Sequence, residues 1–201
     1  RAAVARDHRA LRRFVARIST RDDHRYRIFF TPWGEALVRK GYRDALVELS
    51  HVPHVDRVAI QTNLSAPLRF VQEANRTRLA LWATYHPAWV PRARFVARVR
   101  ELRDAGVRVS CGIVGFRRFA GEAEALRAEL PEDVYLWVNA VKSTLVLEPY
   151  DEVDVARFAA LDPLFSINLR NHESQGQACR AGASVFTVDG EGVMRRCHFV
   201  R

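Results

Sequence analysis

The chain has 201 residues, 48% of them hydrophobic and four of them Trp, enough for one sizeable α/β domain or one domain plus a short appendage, and this excludes a disordered chain. No apolar run approaches the length of a membrane span, no signal-peptide pattern opens the chain, and three widely spaced Cys argue against a disulfide framework and for the cytoplasm. The net charge of +9 suggests an anionic partner, nucleic acid included, but the basic residues are nearly all Arg and are scattered over the helices, with Lys40 and Lys142 the only lysines, so no dedicated nucleic-acid block stands out.

In chain order, residues 4 to 18 place Leu11, Phe14, Val15 and Ile18 on one face of an amphipathic helix. A helix that opens an α/β pattern normally crosses over from a parallel strand, so a first strand is expected upstream of Arg1. Tyr26 to Phe30 reads as a buried strand, and Thr31-Pro32-Trp33-Gly34-Glu35-Ala36-Leu37 as the turn into a helix with Val38, Tyr42, Ala45, Leu46 and Leu49 on its buried face. Arg57 to Gln61 is the next strand and leads into Thr62-Asn63. Leu79 to Ala83 follows, leaving through Thr84-Tyr85-His86-Pro87. A helix near residues 91 to 105 stops at Gly106, and the strand Val107 to Cys111 exits through Gly112-Ile113-Val114-Gly115. A helix near 122 to 130, the strand Val134 to Val138 ending in Asn139, and a helix near 151 to 161 complete the alternation. Strands alternating with helices at this spacing predict a parallel sheet with crossover helices, and periodicity alone does not distinguish a barrel from an open sheet.

After residue 170 the chain turns polar. Ala183 to Val188 and Val193 to Arg196 flank Asp189-Gly190-Glu191-Gly192, a hairpin signal, with Cys179 before it and Cys197 at its end. The two thiols, with His198, read as metal or cluster ligands, half of a zinc site, a disulfide, or ordinary buried thiols. Two Cys complete neither a zinc nor an iron–sulfur site, so the metal reading expects further ligands beyond Arg201, and both ends of the chain look cut. Cys111, inside an apolar strand, reads as core.

Polar groups collect at the predicted strand exits: Glu35, Asn63, Thr84, the Gly112 to Gly115 bend and Asn139. Each alone reads as a loop residue or a cap. In a parallel sheet all five face one edge and line a single pocket. The competing reading of Glu35 is a charge near a helix N-terminus, but with Thr31 as N-cap and Pro32 first in the helix, a capping-box carboxylate belongs at residue 34, where glycine stands. No P-loop, GxSxG or HExxH motif is present.

These residues resemble a known family. Phe30-Thr31-Pro32-Trp33-Gly34-Glu35 resembles the Gly-Gly-Glu motif that ends the second strand of radical S-adenosylmethionine (radical SAM) enzymes, and Ile60-Gln61-Thr62-Asn63 resembles their third strand, which often reads Thr-Asn-Gly. Gly112-Ile113-Val114-Gly115 is similar to a degenerate fifth-strand motif. Cys179 and Gly192-x4-Cys197 are similar to the Cys-x(9–15)-Gly-x4-Cys opening of the SPASM or twitch extension that binds auxiliary iron–sulfur clusters.

The resemblance implies a partial (β/α)6 TIM-like barrel over residues 1–170, lacking its first strand, and the start of the cluster-binding segment over 171–201. It implies that Glu35 pairs with the ammonium of S-adenosylmethionine beside the backbone of Trp33 and Gly34. Asn63 and Thr84 would then lie along the methionine or ribose, Ile113, Gly115 and Asn139 near adenine, and Cys179 and Cys197 on an auxiliary cluster. It further implies reductive cleavage to a 5′-deoxyadenosyl radical that abstracts hydrogen from a small-molecule or peptide substrate, with an electron donor such as flavodoxin or ferredoxin.

Several features depart from the family's pattern. Trp33 replaces the first glycine, the fifth-strand motif lacks its closing Glu, and the Cys-x3-Cys-x2-Cys loop that holds the catalytic 4Fe–4S cluster does not occur in these residues; its place would be upstream of Arg1, so an inactive internal fragment is expected. A zinc-stabilised α/β nucleic-acid-binding module, resting on the charge and on Cys179, Cys197 and His198, is the alternative. A TIM-barrel hydrolase using Glu35 and His86 is a weaker third reading.

Overall fold

The computed structural model describes residues 2–142, 149–173 and 175–197. Strands β1 (Tyr26–Phe30), β2 (Val55–Thr62), β3 (Leu79–Tyr85), β4 (Arg108–Val114) and β5 (Leu136–Asn139) form one sheet in chain order, and every neighbouring pair is parallel. Among the described residues six α-helices accompany them: α1 (Ala2–Thr20), α2 (Lys40–His51), α3 (Arg92–Asp104), α4 (Ala120–Glu129), α5 (Glu152–Leu161) and α6 (Phe165–Leu169). A separate antiparallel ribbon pairs β6 (Thr187–Val188) with β7 (Met194–Arg195).

A strand order that always steps the same way, joined by right-handed crossovers, puts the helices on one face of the sheet. The burial pattern follows from that. Every second strand residue, for instance Val58, Ile60, Leu81, Cys111, Ile113 and Val138, enters a core shared with Leu46 and Leu49 of α2, Phe95 and Val99 of α3, Leu126 of α4 and Phe158 of α5. The alternate strand residues face away from this layer. Register slips once, between Tyr26 and Arg27, so Asp56 is the extra residue of β2 and Arg27 pairs with Arg57.

Two expectations about local structure are corrected. The helix predicted to start after Gly34 starts at Lys40. Before it lies a 3-10 turn, Ala36–Val38, then an extended Arg39. That interruption breaks the 3.6-residue period, so Val38 is 61% exposed while Ala36 and Leu37 are buried in its stead. Thr31 and Pro32 cap nothing, because Glu35 is the N-cap of the 3-10 turn. The ribbon strands are also shorter than predicted. Residues 183 to 185 fold into a turn whose amides all donate to the Arg180 carbonyl.

Burial carries a pH consequence. Tyr42 and Tyr85 are buried, and Tyr42 donates to Asp7 while Tyr85 donates to Glu122. Desolvation, helped by these carboxylates, pushes both phenols from 10.0 up to about 12. The fold therefore favours the neutral phenols. Their contribution to stability is complete below pH 10.0 and is lost as pH climbs toward about 12. Alkaline unfolding is expected to begin above pH 10, with the Tyr42 and Tyr85 phenolates appearing only as the protein unfolds; normal titration of these two in the folded protein would contradict the packing.

Candidate functional site

Because the five strands are parallel, their C-terminal ends form one rim. At the exit of β1, Gly34 adopts φ +68°, a left-handed conformation that turns the chain back so that Glu35 reaches the end of β2. Its carboxylate accepts hydrogen bonds from Leu37 N at 3.0 Å, from the Thr62 hydroxyl at 2.9 Å to each oxygen, and from Asn63 N at 2.6 Å. Thr62 shares the inward parity of Ile60 and is buried, which aims its hydroxyl at the carboxylate.

The exit of β2 is held from both sides. The Thr62 hydroxyl accepts from Leu64 N at 3.0 Å, and the Asn63 side-chain oxygen accepts from Ser65 N at 2.8 Å. Leu64 is buried with φ +58°, the position at which the Thr-Asn-Gly pattern would carry glycine. A left-handed non-glycine residue costs about 1–2 kcal/mol, and here Arg98 of α3 donates to the Leu64 and Ala66 carbonyls, fixing the turn.

Further along the rim, Thr84 is half-buried beside Gly112, its register partner. Asn139 ends β5 exposed, and its carbonyl accepts from Gly115 N at 2.9 Å. The Gly115 carbonyl in turn accepts from the Tyr150 hydroxyl at 2.6 Å, and that hydroxyl accepts from Val141 N at 2.9 Å. A Cβ at residue 115 would lie 3.0 Å from a Val138 methyl, 3.1 Å from the Tyr150 hydroxyl and 3.3 Å from the Asn139 carbonyl. Gly115→Ala is therefore expected to lower stability by about 1–3 kcal/mol through this crowding, read as a lower urea midpoint. An unchanged midpoint would mean that Tyr150 does not pack there.

The structure thus joins Glu35 to Asn63 through hydrogen bonds and Gly115 to Asn139, and sets Thr84 beside Gly112. It does not bring Ile113 to the rim. That side chain pairs with Tyr85 and Val138 on the helix side and is 1% exposed, because strand alternation gives it the parity of Cys111. Trp33 is 99% exposed, with its carbonyl 3.5 Å from Arg39. Cys111 is core as expected, and burial pushes its thiol up to about 12. Desolvation lowers the pKa of His86, favouring its neutral form.

Cys179 is exposed, and its sulfur accepts from Ala181 N at 3.4 Å, an amide-to-sulfur contact of the kind that supports a thiolate ligand. Three residues on, a Cβ at Gly182 would lie 2.9 Å from the Cβ of Arg196, the residue before Cys197, so the two cysteine-bearing stretches meet. The hairpin turn seats on α1, where Arg13 donates to the Glu191 carbonyl at 3.0 Å and a Gly192 Cβ would lie 3.6 Å from that of Ala10. The hairpin after α6 thereby contacts the helix that opens the chain. His198 lies outside the described residues.

Two features of this region were missed in the sequence. Thr62 was legible, since period-2 alternation gives it an inward position next to Asn63. Tyr150 carried no signal, because its role depends on contacts with Gly115 and Val141 that no local pattern encodes. No family model matches the chain, and neither a curated protein nor a solved structure matches it. Among the described residues, no helix is long and apolar enough to cross a membrane.

Proposed function

We propose that this chain is part of a radical SAM enzyme, with residues 1–170 as a partial (β/α)6 barrel lacking its first strand and 171–201 as the beginning of a SPASM- or twitch-like segment. The observation that supports the reading most is the placement of Glu35, turned back onto Thr62 and Asn63 at the shared rim. An ionised carboxylate offers about four lone-pair positions. Leu37 N, Asn63 N and the single Thr62 hydroxyl proton, shared between the two oxygens, occupy about three of these positions and leave about one for the ammonium of S-adenosylmethionine.

In this reading the backbone of Trp33 and Gly34 flanks the ammonium, Asn63 and Thr84 lie along the methionine and ribose, and Gly115 and Asn139 border the adenine. Ile113, inside the core, takes no direct part. A reduced 4Fe–4S cluster would supply the electron that cleaves S-adenosylmethionine; residues 1–201 hold no Cys-x3-Cys-x2-Cys, so the reading requires those ligands from a longer chain. Cys179, with its Ala181 amide, and Cys197 suit two thiolate ligands of an auxiliary iron–sulfur cluster.

The test is a longer protein containing this chain, reconstituted anaerobically and reduced in the presence of S-adenosylmethionine. Formation of 5′-deoxyadenosine is expected, together with iron and sulfide that fall when Cys179 and Cys197 are replaced by Ala. No 5′-deoxyadenosine refutes the reading. Zinc without iron or sulfide, with nucleic-acid binding that weakens steeply in salt, would favour a zinc-stabilised binding module instead.

A further inference from the structure

The sheet face turned away from the helices has its own chemistry. Phe29, Trp82 and Trp137 occupy alternate positions there and form a diagonal row, with Phe29 and Trp82 stacked at 5.9 Å and 29° and Trp82 meeting Trp137 edge-on at 5.1 Å and 78°. The row exists because its neighbours are small. Ala59 is the register partner of Phe29 and Ala80 that of Ala59, the larger Gln61 beside Trp82 is exposed, and at Gly112 even a Cβ would lie 3.4 Å from the Trp82 indole nitrogen. Phe29 is 48% exposed, so the row is open to a ligand.

Arginines border the rings. Arg27 and Arg57 are register partners one pleat step before Phe29 and Ala59, and Arg108 is the register partner of Ala80. None of the strand positions that share this face holds Asp or Glu. The Nε of Arg57 is buried and has no hydrogen-bond partner among the described residues, a donor still lacking its acceptor. Asp56, the extra residue of β2, pairs with Arg25 and also feels the charge of Arg27, whereas Arg57 and Arg108 make no ion pair among the described residues. Apolar rings beside these guanidiniums therefore complement a molecule that is both flat and anionic.

We propose that this face binds a nucleoside monophosphate, or an aromatic phosphate like it, with the ring against Phe29 and Trp82 and the phosphate on Arg27, Arg57 and Arg108. Several guanidinium forks match the multiple oxygens of a phosphate better than a lone carboxylate. The edge-on Trp82–Trp137 contact interrupts any run of parallel faces, so the row offers one stacking place rather than a track for successive bases. That this ligand is the substrate rests on the function proposed above; the binding itself does not.

The test is calorimetric titration of this chain, without cluster, reductant or S-adenosylmethionine, using adenosine monophosphate, adenosine, inorganic phosphate, a single-stranded oligonucleotide and an acidic Trp-containing peptide. Adenosine monophosphate is expected to bind, with adenosine and phosphate each at least about tenfold weaker. Arg27→Gln and Arg108→Gln, both at exposed positions where folding is little affected, should each weaken it by about tenfold and flatten its salt dependence. Trp82→Leu should abolish the ring contribution while Trp82→Phe keeps most of it.

No binding of adenosine monophosphate, tighter binding of the oligonucleotide or the peptide, or unchanged affinity in both arginine variants would overturn the proposal. A negative titration leaves the 5′-deoxyadenosine assay standing, and a failed assay leaves the titration standing.

Discussion

Glu35→Ala is expected to destabilise the protein by about 3–5 kcal/mol, the largest loss at the strand-exit rim. Three donors depend on that carboxylate: the Leu37 amide, the buried Thr62 hydroxyl and the Asn63 amide at 2.6 Å. Hydrogen bonds to a charged acceptor contribute about 1.5–3 kcal/mol each, and a donor left buried without an acceptor costs about 1–3 kcal/mol. Partial exposure of Glu35 and water entry at the rim hold the total below the sum. Glu35→Gln keeps the size and one acceptor oxygen but turns an N–H toward a donor, so about 1–2 kcal/mol is expected, and Thr62→Val should fall in the same range. Urea unfolding at constant slope measures all three. A Glu35→Ala protein within about 1 kcal/mol of the parent would mean that the carboxylate does not hold the rim together. The series also separates scaffold from ligand: a folded Glu35→Gln protein that loses S-adenosylmethionine binding assigns the charge a role beyond joining β1 to β2.

What the sequence disclosed depended on how local each signal was. The strands were legible because Tyr26 to Phe30, Leu79 to Ala83 and Val134 to Val138 are short apolar runs, and α3 because Phe95, Val99 and Leu102 recur at helical spacing. That alternation made a parallel sheet the expected outcome, and with it a common rim for Glu35, Asn63, Thr84 and Asn139. The start of α2 was misread because a 3-10 turn and one extended residue mimic the periodicity of a continuous helix across Ala36 to Lys40. Helix α6 was missed because five residues are too few to show a period. Ile113 was misplaced by following a motif rather than strand parity, since its neighbours Gly112 and Val114 face one way and it faces the other. The aromatic row needed both the alternation and the stagger between strands, and the stagger is set by tertiary packing.

Asp162→Ala is expected to cost a further large amount, about 3–5 kcal/mol, at the opposite end of the sheet. Asp162 is fully buried; one oxygen accepts from the Tyr135 hydroxyl at 2.6 Å and from Leu164 N at 2.9 Å, and the other accepts from Val138 N at 2.9 Å. The backbone N–H and C=O of Val138 face the free edge of β5, the last strand of the sheet, and the carbonyl accepts from the Asn168 side chain at 2.6 Å. Side chains from the α5–α6 corner therefore satisfy edge groups that a further strand would otherwise pair. Without the carboxylate, a buried amide and a phenol lose their acceptor, and the edge of β5 becomes available to another chain. Asp162→Asn should lose about half as much, and either variant should self-associate more than the parent in sedimentation. A second readout tests the mechanism. Burial and the bond to Asp162 raise the pKa of Tyr135 above the ordinary 10.0, so removal of the carboxylate should bring its titration back toward that value in the folded protein. A variant of unchanged stability, with Tyr135 titrating as before, would show that the edge of β5 is closed by other groups.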